Sequence, residues 1–346
     1  MKTSAARERV LFRTILSLSV LSFFLATGLY PVNAADMVNV GKITPDPSRL
    51  WSPGRLAVDT EGTVYVVDGY KNRVQKFDGK GNHLGLIPVS RPSAIAASPN
   101  GNVYIGSNDG YAVAIYKRGE ITGYLGAGKN EFGSISDIAV DKSTDDIYVV
   151  DLKKHVVKIY DASGSAKGMR DGFTAPAAVA VTDTVVVVLD APAVPCPTTI
   201  MVKGEVIPCP ECTGPCSGSR ISVLDKAGNL MQSITESDAK KDNMVRPVAL
   251  AADTQGNIYV ADALRKNILV YNLQCKFIGE LVSAQDDLHE PVSLTLSRDN
   301  SLYVSSSETR SIVEIGLAGR LNAASTGSLK FQSKQGAGIS LGALGY

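Results

Sequence analysis

Residues 53–78 read PGRLAVDTEGTVYVVDGYKNRVQKFD. A proline opens a short apolar run, LAV. The polar turn DTEG separates it from a second run, VYVV, which an aspartate closes. A second polar turn, GYKN, leads into a third run, RVQKF. Short β-branched and aromatic runs bounded by turn residues read as successive antiparallel strands. Proline suits the first residue of such a strand, where no ladder N–H is needed.

The stretch recurs along the chain. GTVYVVD (62–68), GNVYIGS (101–107), DDIYVVD (145–151), DTVVVVLD (183–190), GNIYVAD (256–262) and NSLYVSS (300–306) share one chemistry. Their closing residues, Asp68, Ser107, Asp151, Asp190, Asp262 and Ser306, are spaced 39, 44, 39, 72 and 44 apart. Tyrosine stands three residues before the close in five copies, at 65, 104, 148, 259 and 303. Upstream of each lies a small-residue apolar run, as in AIAA (94–97) and ALAA (249–252), and Pro53, Pro92, Pro176, Pro247 and Pro291 introduce five of the six. Downstream lies a third run, as in VKIY (157–160), then a polar turn and a fourth. A period near forty built from strand-sized units is the signature of a β-propeller with one blade per repeat. Small residues on the first strand fit blades that converge on an axis. The sixth copy lacks a fourth strand, and VNVGKI (38–43) is expected to supply it as the outer strand that closes the ring and limits exposed edges.

These motifs resemble the NHL repeat, whose pattern is P-x-x-(I/L)-A-V-D, then G-N-(I/L)-Y-V-A-D, then N-x-R-(I/V)-x-(K/V)-(F/Y)-D. Residues 53–78 match it almost throughout and 247–272 nearly as well, while blades two, four and six drift. The resemblance spans about 37–320 and implies an all-β, six-bladed propeller with four antiparallel strands per blade. Propellers host many unrelated activities, so the implication concerns fold.

The first 34 residues carry Lys2, Arg7, Arg9 and Arg13, then the apolar run 15–29, then Val32-Asn33-Ala34. That order is expected of a signal peptide cleaved after Ala34, leading to the periplasm or the exterior. Taking its four basic groups and one acidic group from 35 and 34 leaves 31 and 33, so the remaining chain is near neutral. Neither the balance nor export favours nucleic acid as a partner. Export also places the cysteines where disulfides persist.

The expected organisation is a signal peptide (1–34), a propeller (35–320) and a Gly/Ser-rich tail (321–346). Blade four carries a Cys/Pro-rich insertion (191–219), because 35 residues separate Asp190 from Asp225 where ten is usual. The insertion holds Cys196, Cys209, Cys212 and Cys216. Two disulfides on a proline-stiffened loop without a strand ladder of its own are expected. A four-thiolate metal site and free thiols are the competing readings. Cys275, in a turn of blade five, is the odd thiol. The tail reads either as unstructured chain or as a strand that orders on a partner by edge addition.

The recurring aspartate invites a catalytic role, but recurrence in four copies assigns it to turn formation through local backbone N–H groups. His155 and His289 fall on one face of the ring and His83 on the other. The peptide-amidating lyases among six-bladed relatives would want several histidines round one opening. A calcium-dependent lactonase would want Glu, Asn and Asp at the axis, where the first strands here are aliphatic except Asp137. No catalytic residue, metal ligand or cofactor is assigned, and no Cys-x-x-Cys-His is present for c-type haem.

The loops after the second strands carry Lys71, Arg73, Lys153, Lys154, His155, Arg265, Lys266 and Arg310 on one face. The function expected is that of an exported, non-catalytic scaffold that binds an acidic protein or an anionic glycan there. The alternatives are a metal-dependent lyase or lactonase at the axial channel and an accessory to envelope electron-transfer proteins.

Overall fold

The computed structural model describes residues 40–43, 50–109, 112–126, 131–191, 199–202, 205–208, 219–235, 244–281, 288–317 and 329–330. The chain forms a six-bladed β-propeller. Each blade is an antiparallel sheet with strands A to D in spatial order from the axis outward. Blade one comprises Pro53–Val58, Val64–Asp68, Arg73–Phe77 and His83–Pro88. Blade two comprises Pro92–Ala97, Val103–Ser107, Ala112–Lys117 and Glu120–Leu125, and blade three Ile135–Val140, Ile147–Asp151, Val156–Tyr160 and Ala166–Arg170. Blade four comprises Pro176–Val181, Val185–Asp190, Arg220–Asp225 and Leu230–Ile234, and blade five Pro247–Ala252, Asn257–Asp262, Asn267–Asn272 and Phe277–Glu280. The last repeat supplies three strands, Pro291–Leu296, Ser301–Ser306 and Ser311–Gly316. Val40–Ile43 completes it as strand D, pairing Val40 with Ile315 and Ile43 with Ile312. The ring is therefore closed by the N-terminal strand.

The A strands contact one another in a closed circle round the axis. Proline is the first residue of five of them. In all six the register shifts just after that first residue, so each A strand enters its blade through a bulge.

Strand periodicity then builds the core. Successive side chains of a strand point to opposite faces, and every B strand is covered on both. Val64 and Val66 pack toward blade six, with Leu50 and Tyr303. Tyr65 and Val67 pack toward blade two, with Ile95 and Ile105. One apolar cluster fills each of the six junctions between blades. This double burial explains why the B strands read as continuous apolar runs rather than alternating ones.

Two faces follow from the topology. The linkers between blades and the B–C loops share one, here the linker face. The A–B and C–D turns share the other, here the turn face.

Two expectations need correction. The insertion does have a ladder of its own: Thr199–Val202 pairs antiparallel with Glu205–Pro208. The sequence signal was present, because Lys203-Gly204 separates two β-branched runs, the pattern of a two-residue hairpin. The tail reading is also modified. Leu329–Lys330 pairs in parallel with Gly279–Glu280 on the outer edge of blade five, so this short piece adds to the chain's own sheet. Residues 1–34, expected to be a signal peptide, the four clustered cysteines and residues 331–346 lie outside the described residues. Among the described residues no helix is long and apolar enough to cross a membrane.

Candidate functional site

The closing residues prove to be clasps. Asp68, Asp151, Asp190 and Asp262 are buried. Their carboxylates accept backbone N–H groups from the linker that enters strand A of the same blade. Asp151 accepts from Gly133 at 2.8 Å and Ser134 at 3.0 Å. Asp190 accepts from Thr174 and Ala175 at 2.9 and 2.5 Å, and Asp68 accepts from Ser52 at 3.1 Å. Asp262 takes Val245 and Arg246 at 2.5 and 3.0 Å, and Leu264 and Arg265 of the next turn at 3.1 and 3.0 Å. The expected local turn bonds exist at Asp151 and Asp262, but the bond common to all four reaches back 15–18 residues. In the serine copies the polarity reverses. The Ser107 hydroxyl donates to the Ser90 carbonyl at 2.7 Å, and Ser306 donates to His289. Each closing residue thus fixes the linker face of its blade.

Above these clasps the B–C loops share a backbone device. Four residues after the close the chain is left-handed at Asn72 (φ 52°), His155 (59°), Lys266 (57°) and Arg310 (49°). Asparagine tolerates this conformation; for other non-glycine residues it costs on the order of 1 kcal/mol. In three loops a cationic or titratable side chain is therefore held where backbone preference opposes it. Such outliers cluster at binding and catalytic sites.

The basic residues anticipated for this face divide into groups. Arg73 is committed to Asp68, its guanidinium 3.1 Å from the carboxylate. Arg265 lies 3.5 Å from Glu280 and Lys266 2.8 Å from Glu308. The Lys266 bond holds the Glu308 carboxyl below the usual range. Lys154 reaches the Glu131 carbonyl at 2.9 Å, and the His155 ring meets the Thr174 carbonyl at 2.5 Å. Lys153 is exposed.

Lys71 and Arg310 are brought together by a residue the sequence reading passed over, Trp51. It stands in the linker into blade one and is 47% exposed. Tyr70, 70% exposed, stacks on it with ring centroids 5.8 Å apart and planes inclined by 21°. The Lys71 ammonium lies 4.7 Å from the Trp51 ring centre and the Arg310 guanidinium 5.0 Å from it. Both are within the range of a cation–π attraction. Blade six supplies Arg310 and blade one the rest, so the patch straddles the closure of the ring. Leu264, Val245 and Leu152 add exposed apolar side chains elsewhere on the same face. Two signals in the sequence pointed here. Trp51 is the sole tryptophan. Tyr70 also stands where the other loops carry Asp109, Lys153, Leu264 or Glu308.

The axis was expected to be aliphatic apart from Asp137. Arg55, also on an A strand, is the second exception. Its guanidinium donates across the axis to the carbonyls of Ser136 at 3.1 Å, Ala177 at 2.7 Å and Val248 at 3.3 Å. It lies 3.6 Å from the Asp137 carboxylate. Asp137 also accepts the Val179 N–H at 3.0 Å. Burial pushes the Asp137 carboxyl up, against the pull of Arg55. The charge was legible as the lone arginine among small residues in the A strands. The axial cavity beside this pair has a volume of about 110 Å³ and is walled mainly by Ala, Val, Ile and Leu. Lys142 stands at its turn-face mouth, its pKa lowered by loss of hydration. The histidines do not converge: His83 packs edge-on against Phe77, while His155 and His289 sit on the linker face. Among the described residues no group of three or more His, Cys, Asp or Glu is placed to hold a metal ion.

Residues 50–77 match the NHL repeat family. By sequence, no curated protein matches the chain. Several solved propellers are similar in structure. Virginiamycin B lyase from Staphylococcus aureus is 13% identical with a TM-score of 0.55, over 81% of this chain and 99% of that one. The Xanthomonas campestris gluconolactonase XC5397 is 11% identical with a TM-score of 0.59, over 83% and 93%. The WD40 repeats of RRP9 are 12% identical with a TM-score of 0.55, over 80% and 97%. At these identities the likeness shows the fold. The chain is a six-bladed β-propeller with an NHL repeat in its first blade.

Proposed function

We propose that the protein is an exported, non-catalytic scaffold that binds an acidic protein partner through the linker face, centred on Trp51, Tyr70, Lys71 and Arg310. The observation that carries this reading is the exposed Trp51–Tyr70 stack flanked by two cations. Tryptophan, tyrosine and arginine dominate the energetics of protein interfaces, because they offer large rigid area with a polar handle. Two cations beside the stack select an acidic counterpart and speed its encounter. The left-handed loops support the reading, since Arg310 and Lys266 stand where asparagine would be more stable. The insertion of blade four leaves from Asp190 and returns at Arg220 on the same face.

The fold likeness to a lyase and a gluconolactonase keeps a channel-centred enzyme as the rival, but the Arg55 guanidinium crosses the axis where a substrate would enter. The test is affinity capture from an envelope extract, comparing wild type with Trp51→Ala and with Lys71→Glu/Arg310→Glu. A captured partner should be lost from both variants and should shift the Trp51 fluorescence of the wild type. Recovery of the same proteins by both variants refutes the site. Stoichiometric metal in the purified protein would favour the enzyme.

A further inference from the structure

A second candidate lies on the turn face, between blades three and four. A polar pocket of about 250 Å³ opens there. The repeats provide an internal control for it. In blade one the Tyr65 hydroxyl donates to Asp59 at 3.1 Å, and in blade five Tyr259 donates to Asp253 at 2.8 Å. These acids follow strand A. The matching pair in blade three is Tyr148 and Asp141, and there the bond is replaced. The Lys226 ammonium, from the C–D turn of blade four, takes the Asp141 carboxylate at 2.7 Å and lies 5.8 Å from the Tyr148 ring centre. At the equivalent turn position the other blades have Gly79, Arg118, Ala162, Leu273 and Leu317. No described residue accepts the Tyr148 hydroxyl, although Tyr148 is only 3% exposed and lines the pocket. Burial beside Asp141 and Asp146 pushes that hydroxyl up to about 12, so it stays a donor at neutral pH.

Three carboxylates, Asp141, Asp146 and Asp183, and three cations, Lys167, Arg170 and Lys226, line the pocket, and two of the cations are paired within it. Lys226 pairs with Asp141, and Lys167 pairs with Asp146 at 2.5 Å. Asp183 attracts Lys142 at the adjoining mouth of the axial channel. Arg170 remains. Its guanidinium donates only to carbonyls among the described residues, those of Met169 at 3.1 Å and Lys226 at 2.9 Å. Gly228, in the left-handed region at φ 98°, lets the Arg170 side chain pass where a Cβ would collide with it. The volume is below the ~300–1,000 Å³ of sites for drug-sized ligands. It suits a molecule of monosaccharide size.

We propose that this pocket binds a small hydroxylated carboxylate, with the acid on Arg170 and a hydroxyl on the Tyr148 phenol. A guanidinium that meets only carbonyls has donors to offer one carboxylate. A wall of hydroxyl and charged groups calls for a ligand rich in hydroxyls, because an apolar one would strip these groups of water without replacing the bonds. Arginine's planar fork matches a carboxylate in two bonds.

The test is calorimetric titration of the full-length protein with glucuronate, galacturonate and glycerate, with glucose and inorganic phosphate as controls. Saturable binding of at least one acid, and none of glucose, is expected. Arg170→Met should abolish it and Tyr148→Phe should weaken it up to about tenfold, the upper worth of one neutral hydrogen bond. Tyr148→Phe removes a single oxygen, so it decides the matter if Arg170→Met misfolds. The proposal is overturned if none of the three acids binds saturably or if glucose or phosphate binds as well as the acids. Unchanged binding by Tyr148→Phe overturns it equally. The linker-face patch plays no part here, and Trp51→Ala should bind the acid normally.

Discussion

Asp262→Ala tests the clasp. The wild-type carboxylate is fully buried and accepts four backbone N–H groups, two from the linker and two from the following turn. A hydrogen bond to a charged group contributes about 1.5–3 kcal/mol net, and a buried donor left without a partner costs about 1–3 kcal/mol. The chain on either side is partly exposed, so water can reach some of the four donors. A loss of about 3–4 kcal/mol is therefore expected. Ser107→Ala is the control at the same place in blade two. Among the described residues it removes one bond to Ser90 and a long one from Asp109 at 3.3 Å, worth about 0.5–1 kcal/mol together. At roughly 2 °C per kcal/mol for a chain of this size, Asp262→Ala should melt at least about 4 °C below Ser107→Ala. Urea unfolding followed by circular dichroism and by Trp51 fluorescence gives both the midpoint and the slope. If the two variants lie within about 0.5 kcal/mol of each other, the carboxylate is not a clasp and the reading of the recurring aspartate fails.

Arg55→Met should cost about 3 kcal/mol, because it strands the Asp137 carboxylate in the core. Arg55→Met/Asp137→Asn should recover part of that in a thermal melt, and a double variant no better than the single one would refute the pairing. Acid should weaken the protein through Asp141. Burial opposes its ionisation, but bonds from Lys226 and Ser143 outweigh this and hold the carboxyl at about 2 against an ordinary 3.8. A depressed carboxyl contributes stability above its unfolded pKa and loses it as pH falls toward the folded one, here from about 4 to 2, up to about 2 kcal/mol. Asp137 acts in the opposite sense, since its pKa is raised and protonation relieves its burial. Lys226→Met should flatten the loss between pH 5 and pH 2.5, and an unchanged slope would remove Asp141 from the account. Thiol titration in denaturant should find one free thiol per chain, assigned to Cys275, while five would sink the two disulfides proposed for the insertion.

The propeller was legible because its defining constraint repeats. A B strand buried on both faces must be apolar throughout, and six such runs at a near-constant period leave little choice of architecture. Closure by residues 38–43 could be read from a missing fourth strand. What escaped reading were contacts between repeats that no single copy contains. Arg55 meets carbonyls from blades three, four and five only once the ring has closed. Trp51 meets Arg310 across the same closure. Arg73 looked like a free surface charge, and it is not one, because strand pairing sets it directly opposite Asp68.

Repetition also separates structural chemistry from functional chemistry. A residue that recurs in register, such as the closing aspartate or the tyrosine of the B strand, is explained by what every blade needs. A residue that departs from the register has to be explained by one place only. Three departures stand out: the aromatic pair with its cations at blade one, Lys226 displacing the Tyr148 bond between blades three and four, and the hairpin inserted in blade four. The other blades fold without any of the three. The first exposes a tryptophan, and the second leaves a phenol facing an open pocket with no acceptor among the described residues. Burial of the one and pairing of the other by a ligand or partner would give each a use. The asymmetry of this ring, more than any motif within it, therefore locates its surfaces of recognition.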